Sequence, residues 1–152
     1  MSDPLSFADN TPRWTLPLLF AGQAQQEVFV NEALARLDVL LHTVVEGEAS
    51  NPPAQPADGE AWIVGATPQA EWSGREDSIA SYQGAQWLFV APSDGMLAFD
   101  RATGLRRRYR NGWSAAPAAP QMSGGPTADA EARTAIAAIV AALSHYGMMS
   151  ES

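Results

Sequence analysis

The sequence predicts an α+β fold. It reads as an extended N-terminal arm, one long amphipathic helix, an antiparallel β-meander of four or five short strands, and a C-terminal helix after a Pro/Gly/Ala linker. Apolar residues recur at helical spacing over residues 22–45 and again over 127–147. Between them, over 61–113, that period gives way to short apolar runs separated by glycine-containing turns. The chain of 152 residues is about the usual size of one domain. It divides into an anchoring arm (1–20), an α+β domain (21–113), a linker (114–126) and a helix (127–147).

In the arm, Pro4, Pro12 and Pro17 forbid a continuous helix. Phe7, Trp14 and Phe20 are spaced widely between them and need a surface to lie on, either their own domain or a neighbouring subunit. Val30, Ala33, Leu34, Leu37, Leu40, Leu41 and Val44 follow the i, i+3, i+4, i+7 rule and form the expected core stripe of the first helix. Gln25, Glu32, Arg36 and Asp38 fall largely off that stripe, and Gly47 ends the element. A proline-rich loop fills 46–60.

Strands are expected at 61–64, 79–82 and 86–90, the last two flanking the turn Gln83-Gly84-Ala85. Two more, 96–100 and 105–110, flank a second hairpin turn at 101–104, and Asn111-Gly112 marks a further turn before Trp113. The segment 114–126 is a linker by composition. Thr127 suits the N-cap of the last helix, whose stripe is Ala132, Ile136, Ile139, Val140, Leu143 and Tyr146, with Gly147 at its end. That helix packs either on its own domain or on other copies.

Composition narrows the chemistry. Charged residues make up only 17%, so uncharged groups or a partner must cover much of the surface. All nine basic residues are arginine, and against 17 acids they leave a net charge of −8. An acidic domain is repelled by phosphate backbones, so no nucleic-acid partner is expected. The chain has no cysteine and two histidines, which excludes thiol catalysis, cysteine zinc sites and a three-histidine metal site. His42 and His145 fall late in the two helices, outside any hydrolase or metalloprotease motif. Glu71, Glu76, Asp77, Asp94 and Asp100 lie in or near turns, and nothing singles out two as a hydrolytic pair. No secretory leader, membrane insertion, enzymatic activity, metal or cofactor is expected.

Two features remain as candidate binding elements. Arg106, Arg108 and Arg110 share one strand face, with Arg107 and Tyr109 on the other. The arginines read as a charge-protected edge, as a docking face for an acidic partner or another copy, or as a site for anionic polysaccharide. Trp62, Trp72, Trp87 and Trp113 either fill a thin core or form an aromatic platform for sugar rings; Trp72 and Trp113, beside turns, are the glycan-stacking candidates.

Three stretches together resemble a known family. They are LPLLFAGQAQQEVFVNEALARLDVLL at 16–41, the stretch 51–100 with its Pro-Ala-Asp-Gly-Glu turn and Gly-Ala-Gln-Trp hairpin, and DAEARTAIAAIVAAL at 129–143. In this order they resemble a small domain of unknown function encoded in bacterial phages, prophages and gene transfer agents, over residues 14–110. That domain often heads a longer tail- or fibre-like protein, whereas a short copy resembles the version in gene transfer agents. The resemblance implies the base of a head spike, joining a capsid protein at a vertex to a receptor-binding fibre protein. It places the chain in a phage-like particle made in the bacterial cytoplasm. A closed homo-oligomeric ring, a pentamer above all, would suit a fivefold vertex. The alternative is a tail-fibre-associated or carbohydrate-binding module that contacts cell-surface polysaccharide.

Overall fold

The computed structural model describes residues 10–22, 26–120 and 129–150. Phe7 and Thr127 lie outside them. The fold is α+β, with two helices and eight short strands. The chain divides into two compact units, residues 1–92 and 93–152.

The first unit holds helix α1 (Gln26–Leu40) and strands β1 (Val44–Val45), β2 (Glu48–Ala49), β3 (Ala61–Val64), β4 (Ile79–Gln83) and β5 (Gln86–Val90). Strands β2 to β5 form a sheet in chain order. The pair β2–β3 is parallel, with Glu48 opposite Ile63, while β3–β4 and β4–β5 are antiparallel. The expected strands β3, β4 and β5 thus pair antiparallel, and β2, within the expected loop 46–60, adds a parallel edge. Gly84 and Ala85, with φ of 55° and 62°, make the two-residue turn between β4 and β5.

Both faces of β3 and β4 are covered. Ile63 pairs with Ile79 on one face, and both are fully buried. On the other, Val64, Trp72 and Ala80 form a core cluster against which Trp62, Trp87 and Phe89 pack. Three indoles meet there, Trp72 edge-on to Trp87 at 5.1 Å between ring centres and Trp62 at 6.3 Å from Trp72. Of the two alternatives for Trp72, thin core or exposed platform, the first holds: it is the largest fully buried side chain among the described residues, carried inward by the 3-10 turn Ala70–Trp72.

Helix α1 departs most from expectation. It is shorter than the predicted span, and its apolar stripe faces outward: Val30, Leu37, Leu40 and Leu41 are exposed, while Asp38 and Val39 are buried. The reason lies in the arm. Residues 10–19 turn back on themselves, bridging Asn10 to Pro17, and run along α1 without a sheet partner. Their backbone groups must still be paired. Asn31 accepts from the Leu19 N–H and donates to its carbonyl, at 2.8 and 3.0 Å. The Asp38 carboxylate accepts from Thr11 Oγ1, Arg13 N and Trp14 N at 2.6, 3.1 and 2.8 Å. Asn31 and Asp38 are seven residues apart and so share a face. Docking a strand-like backbone thus requires the polar side of α1 to point inward.

The arm also caps the helix. Arg13 donates to the carbonyls of Asp38, Val39 and His42, and Trp14 Nε1 donates to that of Leu41. These are the carbonyls a helix C-terminus leaves unpaired, and a guanidinium also complements the helix dipole there. The described part of the arm is therefore held by its own helix.

The second unit holds β6 (Leu97–Asp100), β7 (Leu105–Tyr109), β8 (Trp113–Ser114) and α2 (Ala130–His145). β6, β7 and β8 lie side by side in antiparallel order. Asp100, almost fully buried, holds the β6–β7 turn by accepting from Ala102 N, Thr103 N and Arg107 Nε. The described part of the expected linker, residues 114–120, is not free chain. Ser150 N donates to the Pro117 carbonyl and Ala119 N to the Ser150 carbonyl. The N-cap of α2 is Asp129, whose side chain accepts from Ala132 N. At the other end Gly147 N bonds Ser144 O and Met148 N bonds Leu143 O, the pairing of a Schellman cap.

Candidate interaction surfaces

Three surfaces concentrate the exposed chemistry. The first is the outer face of α1. Phe29 is 75% exposed, and Val30, Leu37 and Leu40 add to the same apolar surface, which Leu41 continues just past the helix end. Apolar side chains clustered outward on a helix whose inward side is polar are a mark of a docking surface, because water does not stabilise them. Phe20 is also exposed, and Trp14 is exposed although its indole N–H is bonded.

The second surface surrounds Trp87 in the same unit. An open groove of about 500 Å³ is lined by Pro53, Pro56, Glu71, Tyr82 and Trp87. Tyr82 stacks edge-on against Trp87, with 5.1 Å between ring centres. A second groove, of about 620 Å³, is also lined by Trp87, together with Asp58, Val28, Leu19 and Leu88. Trp87 lines both, and each has an exposed carboxylate beside it, Glu71 in one and Asp58 in the other. Among the described residues neither carboxylate has a hydrogen bond or ion pair.

The third surface is the outer face of β6 and β7 in the second unit. The register pairs Leu97 with Arg108 and Phe99 with Arg106. Leu97 is 51% exposed and Phe99 40%, and Arg106, Arg108 and Arg110 are exposed beside them. Arg107, on the opposite face, is instead half-buried against Asp100 at 2.9 Å. The strand alternation expected from the sequence is thus realised. Among the described residues the guanidinium groups of Arg106, Arg108 and Arg110 meet no carboxylate.

The remaining candidates lie outside these three surfaces. Trp72 has no exposed surface for a sugar ring. Trp113 is half-buried and stacked on Tyr109, 5.4 Å between ring centres. His42 lies just past α1 near Trp14, and His145 closes α2 against Tyr146. Asp100 organises a turn, and Glu76 is an exposed loop acid. Among the described residues no group of three or more His, Asp or Glu side chains is placed to hold a metal ion. No helix among them is long and apolar enough to cross a membrane.

The Trp87 grooves escaped sequence reasoning, although Glu71 stood out as a loop acid. Their signal is the alternation of β4 and β5, which sets Tyr82 opposite Trp87. Leu97 and Phe99 escaped it too, and their signal is the same: they alternate with the buried Ala98 and Asp100.

The model of one family, described as protein of unknown function (DUF2793), matches residues 30–114. This span covers α1 from Val30, all eight strands and the whole lining of the smaller Trp87 groove, while the larger groove also draws on Leu19 and Val28 outside it. No curated protein and no solved structure matches the chain.

Proposed function

The chain belongs to the DUF2793 family, and on that premise we propose that it is a structural component of a phage-like particle, a gene transfer agent. In this reading it forms the base of a head spike, with a capsid vertex below and a receptor-binding fibre above. It works by assembling with copies of itself into a closed ring, a pentamer at a fivefold vertex. The observation that carries the assembly is the outward apolar face of α1. A helix that turns Asn31 and Asp38 inward and Phe29, Val30, Leu37 and Leu40 outward is built to be covered. Helix α2 supports the same reading, because none of its described residues is buried. Isolated helices of that length are marginal in water. The position in the particle is supported by the resemblance of the motifs at 16–41, 51–100 and 129–143 to the domain found in phages and gene transfer agents.

Native mass spectrometry of the purified chain over a range of concentrations tests this. A single closed oligomer is expected, and Leu37→Gln with Leu41→Gln should shift it to smaller species without changing the circular dichroism spectrum. A monomer at every concentration would sink the reading.

A further inference from the structure

The charges of the chain are polarised. Residues 1–92 carry twelve carboxylates and three arginines, whereas residues 93–152 carry five carboxylates and six arginines. Among the described residues, the Asp58 and Glu71 carboxylates in the first unit are exposed and unpaired, and so are the guanidinium groups of Arg106, Arg108 and Arg110 in the second.

We propose that the Trp87 grooves are a receptor for arginine, and that their occupant is the β6–β7 face of a second copy of this chain. An aromatic surface beside a carboxylate is the chemistry that recognises a guanidinium, whose plane stacks on the ring while its N–H groups fork onto the oxygens. The grooves supply Trp87 and Tyr82 as the aromatic surface and a carboxylate each, Glu71 and Asp58. The strand supplies two guanidiniums. Arg106 and Arg108 are two residues apart on one face, which spaces them by about 7 Å, so that one strand presents a guanidinium to each of two neighbouring grooves that share Trp87. The apolar partners also match. Leu97 and Phe99 lie across from these arginines, and Val28 and Leu88 line the groove beside Trp87.

Donor and acceptor are different surfaces, so the contact is head-to-tail and closes only as a ring. This inference rests on the self-assembly proposed above and names the surfaces that perform it. It also explains how a chain with a net charge of −8 associates with itself: the contact joins the acidic unit of one copy to the arginine face of the next.

The test uses two variants of the full chain. Arg106→Ser with Arg108→Ser removes the donor charges, and Asp58→Ser with Glu71→Ser removes the acceptor charges. All four side chains are exposed, so both variants should melt as the wild type does. Each alone should be monomeric by native mass spectrometry. Mixed, they should form a one-to-one dimer and nothing larger, because each retains the face that the other lacks. The milder changes Arg108→Gln and Glu71→Gln should each raise the dissociation constant about tenfold or more, which keeps the test valid if a double variant misfolds. If both double variants keep the wild-type mass, the inference is wrong while self-assembly stands. A mixture that stays monomeric also overturns it. A wild type that is monomeric throughout removes the assembly itself, and this contact with it.

Discussion

The carboxylate of Asp38 accepts three hydrogen bonds in a fully buried position. Two come from backbone N–H groups of Arg13 and Trp14, and the third from the Thr11 hydroxyl, which itself accepts from Leu16 N at 3.0 Å. Removing the carboxylate leaves these donors inside without partners, and each such loss carries the full desolvation cost of the group. Asp38→Ala should therefore destabilise the first unit by about 3 kcal/mol, measured as a shift in the urea midpoint. It should also free Trp14, whose fluorescence would shift to the red before the global transition. Arg13 would lose its seat as well, since its own N–H is one of the three donors. A change below about 0.5 kcal/mol would show that the arm is held by Arg13 and Asn31 alone. At the opposite extreme, Ser81 Oγ and Trp72 Nε1 are buried without a hydrogen-bond partner, so polar groups in this unit differ widely in what they contribute.

Elements differ in how far the sequence discloses them, and the reason is what each packs against. Strands β3, β4 and β5 fall almost where the apolar runs place them, because β-branched and aromatic residues between glycine turns have few other uses. Strands β1 and β2, two residues each, leave no periodic trace. Helix α1 is legible as a helix, yet its orientation is not. The stripe rule assumes an apolar neighbour, whereas this helix faces a backbone that demands hydrogen bonds. The Trp87 grooves were hidden because they draw on a loop, a 3-10 turn and a hairpin distant in sequence. The arginine face was legible because strand alternation alone produces it. The end of α2 was legible as well: Gly147 adopts a φ of +67°, and a Cβ there would lie 3.0 Å from the Gly104 carbonyl oxygen. That carbonyl belongs to the backbone and cannot swing aside. Gly147→Ala should combine the left-handed penalty with this clash and cost about 2 kcal/mol or more. It should unpin Arg106 N, which donates to the Gly147 carbonyl at 2.8 Å. Faster amide exchange at Arg106 and Met148, with β3 and β4 unchanged, would confirm that the damage is local. Protection equal to the wild type would show that the chain end reseats without strain.

Across the whole molecule, the two units are unequally equipped to stand alone. The first contains Val39, Val45, Ile63, Val64, Trp72 and Ile79 as buried side chains of substantial size. In the second, the buried apolar residues among those described are Ala98 and Ala119. Two alanines remove little apolar area from water, and at roughly 25 cal/mol per Å² they stabilise far less than a set of valines and isoleucines. Meanwhile Leu97, Phe99, Ile136, Ile139 and Tyr146 remain exposed in that unit. A partner that covers those side chains and binds only the folded form would stabilise this unit by mass action. Amide hydrogen exchange should therefore depend on protein concentration in a particular way. On dilution below the assembly threshold, protection should fall first in β6, β7 and α2, while the amides of β3 and β4 keep theirs. High salt at fixed concentration should act in the same direction, because it screens the exposed arginines and carboxylates of the proposed contact. Protection in β6, β7 and α2 that is independent of both dilution and salt would mean that the second unit stabilises itself. Its exposed leucine, phenylalanine and isoleucines would then have no part in self-assembly.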